Sequence, residues 1–396
     1  MPEKQIVLKN CQMINPRDIN PYPARHDFKA LAKAQVMEPD EIINEVKASG
    51  LRGRGGAGFP CGLKWEAARN TPGDEKYLVG NADEGEVGTF KDRYIIENDP
   101  FTFIEGITIA AYAIGAKQSY IYLRSEYHRL RNLLENAISQ AKDKGFLKHI
   151  KIDIRDGAGA YICGEETALM DSIEGKRGEP RYRPPFPTTK GLWGKPTVIN
   201  NVETLMNIPN IILNGAQQFS QIGTERSKGT KVFSVSGDVA KPGVYELILG
   251  SKLRELVIDL AEAETVKMVQ IGGAMGRIVS STMLDTSLSF ETILGAGGVI
   301  VYNESRDTID IVLRTMEFLN KESCGKCSPC REGTEAMVKI LQKFADGRGT
   351  PKDTGLLEEL SSTMMLASLC GLGQAAPFPV IDSLQYFRHD YESRIK

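Results

Sequence analysis

Apolar positions recur along this chain with different periods, and the texture changes twice. Ile42, Ile43 and Val46 share one face of a helical stretch that Pro39 can open and Gly50 can end. From residue 77 short apolar runs alternate with longer amphipathic ones. Residues 77–79, 119–123 and 150–154 predict strands, 101–116 a mostly buried helix and 126–142 an amphipathic helix. That alternation predicts α/β layering with ligand loops at strand ends. Near residue 225 the pattern changes. Residues 230–236 and 243–248 predict strands around a Lys241-Pro242-Gly243 turn, and 253–261 predict a helix. Short strands rich in Gly, Val and Ile continue to about 313. Beyond 314 strand signals vanish, and helical segments rich in Leu, Met and Glu follow. The expected division is an α/β unit over 1–228 with an N-terminal extension, a small β-rich unit over 229–313 and a helical unit over 314–396.

Composition narrows the class. The 396 residues are 41% hydrophobic and 25% charged, with a net charge of −2. This suits a globular protein of two or three domains and offers no basic groove for nucleic acid. No apolar run reaches the ~18 residues of a membrane span. The start, MPEKQIVLKN, lacks an apolar signal core, so a cytoplasmic location is expected, with no direct membrane insertion.

Four of the seven cysteines carry the strongest chemical signal. Cys324, Cys327 and Cys330 stand two residues apart, and Cys370 lies in a separate segment. Three closely spaced thiolates closed by a distant fourth give the ligand count of a [4Fe–4S] cluster. A structural Cys₄ zinc site is the alternative, although zinc usually takes two separated C-x₂-C pairs. Disulfides are a third option. Cys11, Cys61 and Cys163 are expected to remain thiols.

Three glycine-rich loops and one asparagine pair complete the candidate chemistry. Residues 50–58 hold five glycines, Gly50, Gly53, Gly55, Gly56 and Gly58, beside Arg52, Arg54 and Lys64. Glycines let backbone N–H groups approach a phosphate. Gly53, Gly55 and Gly58 fit G-x-G-x-x-G, but the preceding segment reads as helix, so the dinucleotide fingerprint is weak and a surface turn stays open. After the first strand, Asp83, Glu84 and Glu86 form an acidic patch suited to ribose or ribityl hydroxyls, or only to solvent. Gly164 precedes an expected helix over 165–172, where Glu165 and Glu166 face ligand or simply complement the helix dipole. Asn200 and Asn201, with Thr204, offer amides suited to the polar edge of a heterocycle. None of His26, His128, His149 and His389 lies in these loops. Acid–base catalysis therefore has no evident agent, and hydride transfer needs none because the cofactor carries it.

The segments GLRGRGGAGFPCGLKW (50–65), NADEGEVGTFKDR (81–93), YICGEETAL (161–169), PPFP (184–187), GKPTVINNVETL (194–205) and ESCGKCSPC (322–330) together resemble the NADH-binding flavoprotein subunit family. Members include the NADH-oxidising subunit of respiratory complex I and beta subunits of NAD-dependent hydrogenases and formate dehydrogenases. The resemblance implies a Rossmann-like domain for FMN and NAD, a β-grasp (ubiquitin-like) domain and a four-helix domain holding one [4Fe–4S] cluster on Cys324, Cys327, Cys330 and Cys370. VSGDVAKPGVYEL (235–247) resembles the soluble-ligand-binding β-grasp pattern. Carried over by position, Gly53, Arg54, Gly55, Gly56 and Lys64 lie near the FMN phosphate. Asn81, Asp83, Glu84, Gly164, Glu165, Asn200, Asn201 and Thr204 hold the ribityl chain and ring. Glu86, Glu166 and Arg183 take polar parts of NADH, and Phe59 and Phe186 flank its adenine. The family often has an aromatic where this chain has Ala67, and lysine where it has Arg183. Glu86 and Glu166 are expected to repel a 2′-phosphate and so favour NADH. Cys163 is read as packing near the flavin.

The resemblance also implies electron flow from NADH through flavin and cluster to partner subunits. These are a small thioredoxin-like iron–sulfur subunit and a larger iron–sulfur or hydrogenase subunit. Residues 6–34 resemble the preamble of soluble hydrogenase-type subunits, and neither the thioredoxin-like nor the ferredoxin extension of some relatives is expected here. A hydrogenase-type complex, with electron bifurcation as one option, is therefore expected ahead of a respiratory or formate dehydrogenase module. The contrasting reading is a zinc-stabilised, non-enzymatic nucleotide-binding protein.

Overall fold

The computed structural model describes residues 5–20 and 28–396; His26 and residues 21–27 of the preamble lie outside them. The alternating stretch builds a parallel sheet of β1 (Tyr77–Ala82), β2 (Gln118–Leu123), β3 (Lys151–Asp156) and β4 (Thr197–Asn201), ordered β3-β2-β1-β4. The first three lie within three residues of the sequence expectation, whereas the sequence pattern predicts no strand at β4. Its polar end, Asn200 and Asn201, hides the short apolar run from a period count.

The helix between β1 and β2, Pro100–Ile114, buries every residue except Tyr112. Local chemistry sets its ends. Asp99 accepts from Thr102 N at 3.0 Å, and Gly115 closes the helix at φ 82°, where a side chain would be strained. Upstream, Pro39–Ala48 is the expected helix, opened by a capping box between Glu38 and Glu41. It precedes the glycine loop, which runs on into a second helix, Cys61–Asn70.

From β1 the chain runs outward through β2 to β3, then returns to place β4 on the other side of β1. The strand order thus reverses at the β1–β4 boundary, where parallel sheets open a crevice at the strand C-termini. The register pairs Gly80 with Asn200 and Asn81 with Asn201 at that boundary.

A second, mixed sheet follows: β5 (Thr230–Gly237), β6 (Gly243–Ile248), β7 (Met268–Ile271), β8 (Arg277–Ser280) and β9 (Gly298–Tyr302), ordered β6-β5-β9-β7-β8. Only β5 and β9 run parallel. The helix expected over 253–261 starts at Leu253 and widens into a π-helix over Glu255–Leu260, burying Leu253, Leu256 and Val257 against this sheet.

The remaining chain is helical, led by Thr308–Glu322, Ser328–Ala345, Pro351–Ala367 and Phe378–Tyr386. Asp307 and Thr350 cap two of them. Val312, Met316, Leu341, Phe344 and Met364 fill their shared core, which also takes in Met268 and Ile278 of the second sheet. Asp382 fixes that junction, accepting from Arg277 at 2.7 and 2.6 Å and from Ile278 N at 2.9 Å. Among the described residues no helix is long and apolar enough to cross a membrane.

Candidate functional site

The glycine loop is pinched at its base. Arg52 and Pro60 form an isolated bridge, and Gly53 N donates to Phe59 O at 2.9 Å. Its rim reaches β4: a Cβ on Gly55 would come within 3.0 Å of Asn201 Cβ. Gly56, at φ 118°, turns against Gly295 and Ala296, in the loop that leads into β9 of the second sheet. The loop therefore stands over the β1–β4 crevice with both sheets beside it.

Several candidate residues serve the frame around this crevice. Arg54 is fully buried, and its guanidinium donates to the carbonyls of Arg52, Lys228 and Thr230 at 2.9, 2.6 and 3.0 Å. Its own N–H reaches Thr204 Oγ1 at 2.9 Å. The charge that the sequence offers to a phosphate is thus held inside the protein. Glu84 accepts from Asp92 N, Arg93 N and the Tyr127 hydroxyl at 2.8, 3.0 and 3.1 Å. It caps the Lys91–Asn98 helix. Asn201 donates to Asp92 at 2.7 Å and accepts from Glu203 N at 3.0 Å, with Lys91 Nζ at 3.5 Å. Its amide is engaged by protein on both ends. Asn200 is fixed differently: its Oδ1 accepts from the Trp65 indole at 2.8 Å.

Beneath these lies a buried ion network that the sequence reading missed. Lys231 on β5 and Lys91 meet Glu203 at 2.6 and 3.0 Å, and Lys91 meets Asp92 at 2.7 Å. All four are buried. Glu203 also accepts from Val232 N at 2.8 Å, so it clasps the Asn200-Asn201 turn to the second sheet. Isolated Lys and Glu residues in the FKDR and NNVETL segments gave no sign of pairing across such distances in sequence.

Other candidates face the crevice. Asn81 accepts from Asp83 N at 2.9 Å and donates to Gly164 O at 3.1 Å, joining the loop after β1 to the one after β3. Asp83 Oδ2 is buried without a hydrogen-bond partner, and burial pushes this carboxyl up to about 7. A buried acceptor left unpaired costs about 1–3 kcal/mol, which a ligand hydroxyl would relieve. Lys64 donates to Glu166 at 2.6 Å and to Ile199 O at 2.9 Å. Glu165 caps its helix through Thr167 N and Ala168 N, both at 2.9 Å, and also meets Arg183. Arg183 lies 3.2 Å from Glu166. Burial raises the Glu166 carboxyl, but Lys64 and Arg183 outweigh it and hold the group below its ordinary value. Its charge is therefore compensated, which weakens the expected repulsion of a 2′-phosphate. Phe59 and Phe186 are 57% and 54% exposed, leaving both rings free to meet a ligand.

The four C-terminal cysteines line one small pocket with Ile162, Leu369 and Leu372. Cys324 follows the Thr308–Glu322 helix, Cys327 and Cys330 open the next, and Cys370 opens the short Gly371–Ala375 helix. All seven cysteines are unbridged thiols. Tetrahedral zinc would draw sulfurs to about 3.8 Å of one another. Among the described residues no group of three or more His, Cys, Asp or Glu is close enough to share one ion. Four thiol ligands lining one pocket give the donor set of a [4Fe–4S] cluster. Burial pushes the Cys330 thiol up to about 11 in the absence of metal charge, so ligation there means displacing its proton. Cys163 is buried against Gly178.

One segment joins the two centres. In Tyr161–Gly164, Ile162 lines the cysteine pocket while Gly164 O holds Asn81 of the crevice. Tyr161 N donates to Glu322 at 3.0 Å, and its ring meets Phe318 edge-on with centroids 5.4 Å apart.

Residues 46–210 match the Nuo51 FMN-binding domain, and residues 310–394 match the NADH-ubiquinone oxidoreductase-F iron-sulfur binding region. The chain is 42% identical to the NADP-reducing hydrogenase subunit HndC of Solidesulfovibrio fructosivorans, across 99% of this chain and 83% of that one. It is 45% identical to the NADH-quinone oxidoreductase F subunit of Aquifex aeolicus, across 98% and 93%. A crystal structure of NAD+-reducing [NiFe]-hydrogenase in the H2-reduced state superposes with a TM-score of 0.91 at 40% identity, covering all of this chain and 67% of that one. The fold is thus the sheet-containing α/β fold of that hydrogenase chain, with an FMN-binding and a [4Fe–4S]-binding region. The chain belongs to the family of FMN-binding, iron–sulfur F subunits of NADH-quinone oxidoreductases and their hydrogenase counterparts, NADH-dehydrogenase-type oxidoreductases.

Proposed function

We propose that this chain is the NAD(H)-linked subunit of a soluble, cytoplasmic, hydrogenase-type complex, and that it passes electrons between the crevice and the cysteine centre to partner subunits. The observation that carries the reading is the Tyr161–Gly164 segment. It touches Asn81 at the crevice and lines the cysteine pocket, so few residues separate the two centres. When bound, FMN supplies the hydride-accepting ring and the cluster a one-electron carrier.

The residues divide into holders and frame. Gly53, Gly55 and Gly56 present backbone to the flavin phosphate, with Lys64 as the side-chain cation of the set. Asp83, whose Oδ2 is buried and unpartnered, takes a ribityl hydroxyl. Asn81, Gly164, Glu165 and Asn200 complete the pocket. Arg54, Glu84, Asn201 and Thr204 hold its walls through the bonds described above. Glu86, Glu166 and Arg183 meet the polar parts of NADH, while the exposed rings of Phe59 and Phe186 flank its adenine. Cys324, Cys327, Cys330 and Cys370 ligate the cluster.

The division into 1–228, 229–313 and 314–396 is supported by the two sheets and the closing helices. The parallel pairing of β5 with β9 in a mixed sheet supports a β-grasp unit. The partners are a small thioredoxin-like iron–sulfur subunit and a larger iron–sulfur or hydrogenase subunit. The activities named for HndC and for the superposed hydrogenase support the hydrogenase setting, and those of the quinone-linked relatives support a respiratory one.

The test is anaerobic purification with native partners, followed by NADH addition, EPR and gas analysis. A reduced [4Fe–4S] signal with hydrogen or ferredoxin turnover supports the hydrogenase setting. Cluster reduction with quinone-linked turnover alone moves the chain to a respiratory module. No flavin bleaching and no cluster signal in metal-replete protein would refute the electron-transfer reading.

A further inference from the structure

The turn between β7 and β8 belongs to the second sheet, yet it ends on a residue of the acidic loop after β1. Ala274 N donates to Glu86 Oε1 at 2.6 Å, and Met275 N adds a second backbone donor to the same carboxylate. The Tyr161 hydroxyl donates to Glu86 Oε2 at 2.5 Å. Gly273 is what lets the turn approach so closely. Its φ is +83°, and a Cβ there would overlap Glu86 Cγ and Cδ. The turn is itself seated on the second sheet: Gly272 N donates to Gly298 O, at the start of β9, at 2.7 Å. Tyr161 is anchored from the opposite side by Glu322 and Phe318. Glu86 is thus clamped between the second sheet and the segment that joins the two centres.

We propose that the Gly272–Met275 turn is a positioning element for dinucleotide binding, with Gly273 as its positioning residue, acting through Glu86 and the Tyr161 hydroxyl. A Glu side chain held in one rotamer by several donors has little freedom left to lose when a ligand arrives. The second sheet therefore raises NAD(H) affinity without touching the ligand. This rests on the reading of Glu86 as a dinucleotide-facing residue, and the test separates the two.

The experiment uses the full holoprotein with ferricyanide as electron acceptor, and compares Gly273→Ala, Glu86→Ala and the double variant. Freeing one such side chain costs about tenfold in affinity. Gly273→Ala should therefore raise KM for NADH about tenfold and leave kcat, FMN content and iron content near wild type. In the Glu86→Ala background the same substitution should add nothing, because the group it displaces is gone. Wild-type KM in Gly273→Ala, beside a raised KM in Glu86→Ala, overturns the proposal and leaves the Glu86 reading standing. An undiminished effect of Gly273→Ala in the Glu86→Ala background also overturns it. Wild-type KM in Glu86→Ala refutes the Glu86 reading, and the proposal falls with it. Should Gly273→Ala fail to fold, Tyr161→Phe takes its place, because it removes the other donor to Glu86 without backbone strain: a raised KM for NADH supports the clamp, and a wild-type KM overturns it.

Discussion

The cysteine centre and the crevice above β1 and β4 are held together by opposite means. At the cysteine centre four soft ligands line a pocket whose other walls include Ile162, Leu369 and Leu372. A thiol is a weak donor and a weak acceptor, so little inside the protein competes for it. At the crevice most of the strong hydrogen-bonding groups described above find protein partners. Arg54, Glu84 and Asn201 take them, while Asp83 Oδ2 does not. The difference teaches that residue type alone marks the cysteine centre, whereas at the crevice a candidate ligand group stands out only because the frame leaves its Oδ2 unsatisfied.

The sharpest way to break this comparison is at the cysteines. Cys370→Ala should remove most of the ~4 irons a Cys₄ cluster holds and abolish electron delivery to partners, while FMN stays bound. Iron analysis, flavin fluorescence and EPR check it. Loss of flavin together with iron would show that the two centres are not separately built. The largest expected effect at the crevice is on its frame. Glu203 is fully buried between Lys91 and Lys231, so Glu203→Gln leaves buried ammonium charge undercompensated. Removing one partner of such a set costs about 3–5 kcal/mol, readable as a lowered urea midpoint. An unchanged midpoint would dismiss the network as a structural element.

A milder test lies in pH. Burial pushes the Glu86 carboxyl up to about 7 from an ordinary 4.5. Between those values the folded state binds the proton more tightly than the unfolded chain. Its contribution is therefore fully present below about 4.5 and is lost as pH rises through about 7. Glu86→Gln carries no such proton. Thermal unfolding from pH 5 to 8 should show wild type losing up to about 2 kcal/mol relative to this variant. Parallel profiles would mean that the carboxyl titrates alike folded and unfolded.

The same contrast explains what was legible in the sequence. Strand and helix periods located β1, β2, β3, β5 and β6 to within a few residues, because each carries its own apolar run. β4 escaped because its functional end is polar. The four cysteines were legible as a set because their spacing is local chemistry. The inward turn of Arg54 was not. Its partners on Arg52, Lys228 and Thr230 are carbonyls, which every residue carries and no side chain announces. The Glu203 network and the Gly273–Glu86 contact were hidden for a related reason. Both join the second sheet to the first: the Lys231–Glu203 bond spans 28 positions and the Ala274–Glu86 bond 188.

The smallest effect sharpens the comparison from the cysteine side, where charge should tune the site without building it. Lys326 lines the pocket beside Cys324 and Cys327, where its positive charge favours the reduced, more negative cluster. Its Nζ donates to Pro180 O at 2.8 Å, and Glu179 lies 3.9 Å away. The nearby carboxylate offsets part of the lysine's field, and solvent screens more of it. An exposed charge of this kind is worth at most about 1 kcal/mol, or about 40 mV for one electron. Lys326→Gln should therefore lower the cluster midpoint by no more than that, with iron content unchanged, in an EPR-monitored redox titration. Glu179→Gln should raise it by a similar amount, and the double variant should return close to wild type. A loss of iron in Lys326→Gln would be the more damaging result. It would mean that a hydrogen-bonding side chain helps to build the cysteine centre after all, and that the two regions are held by more similar means.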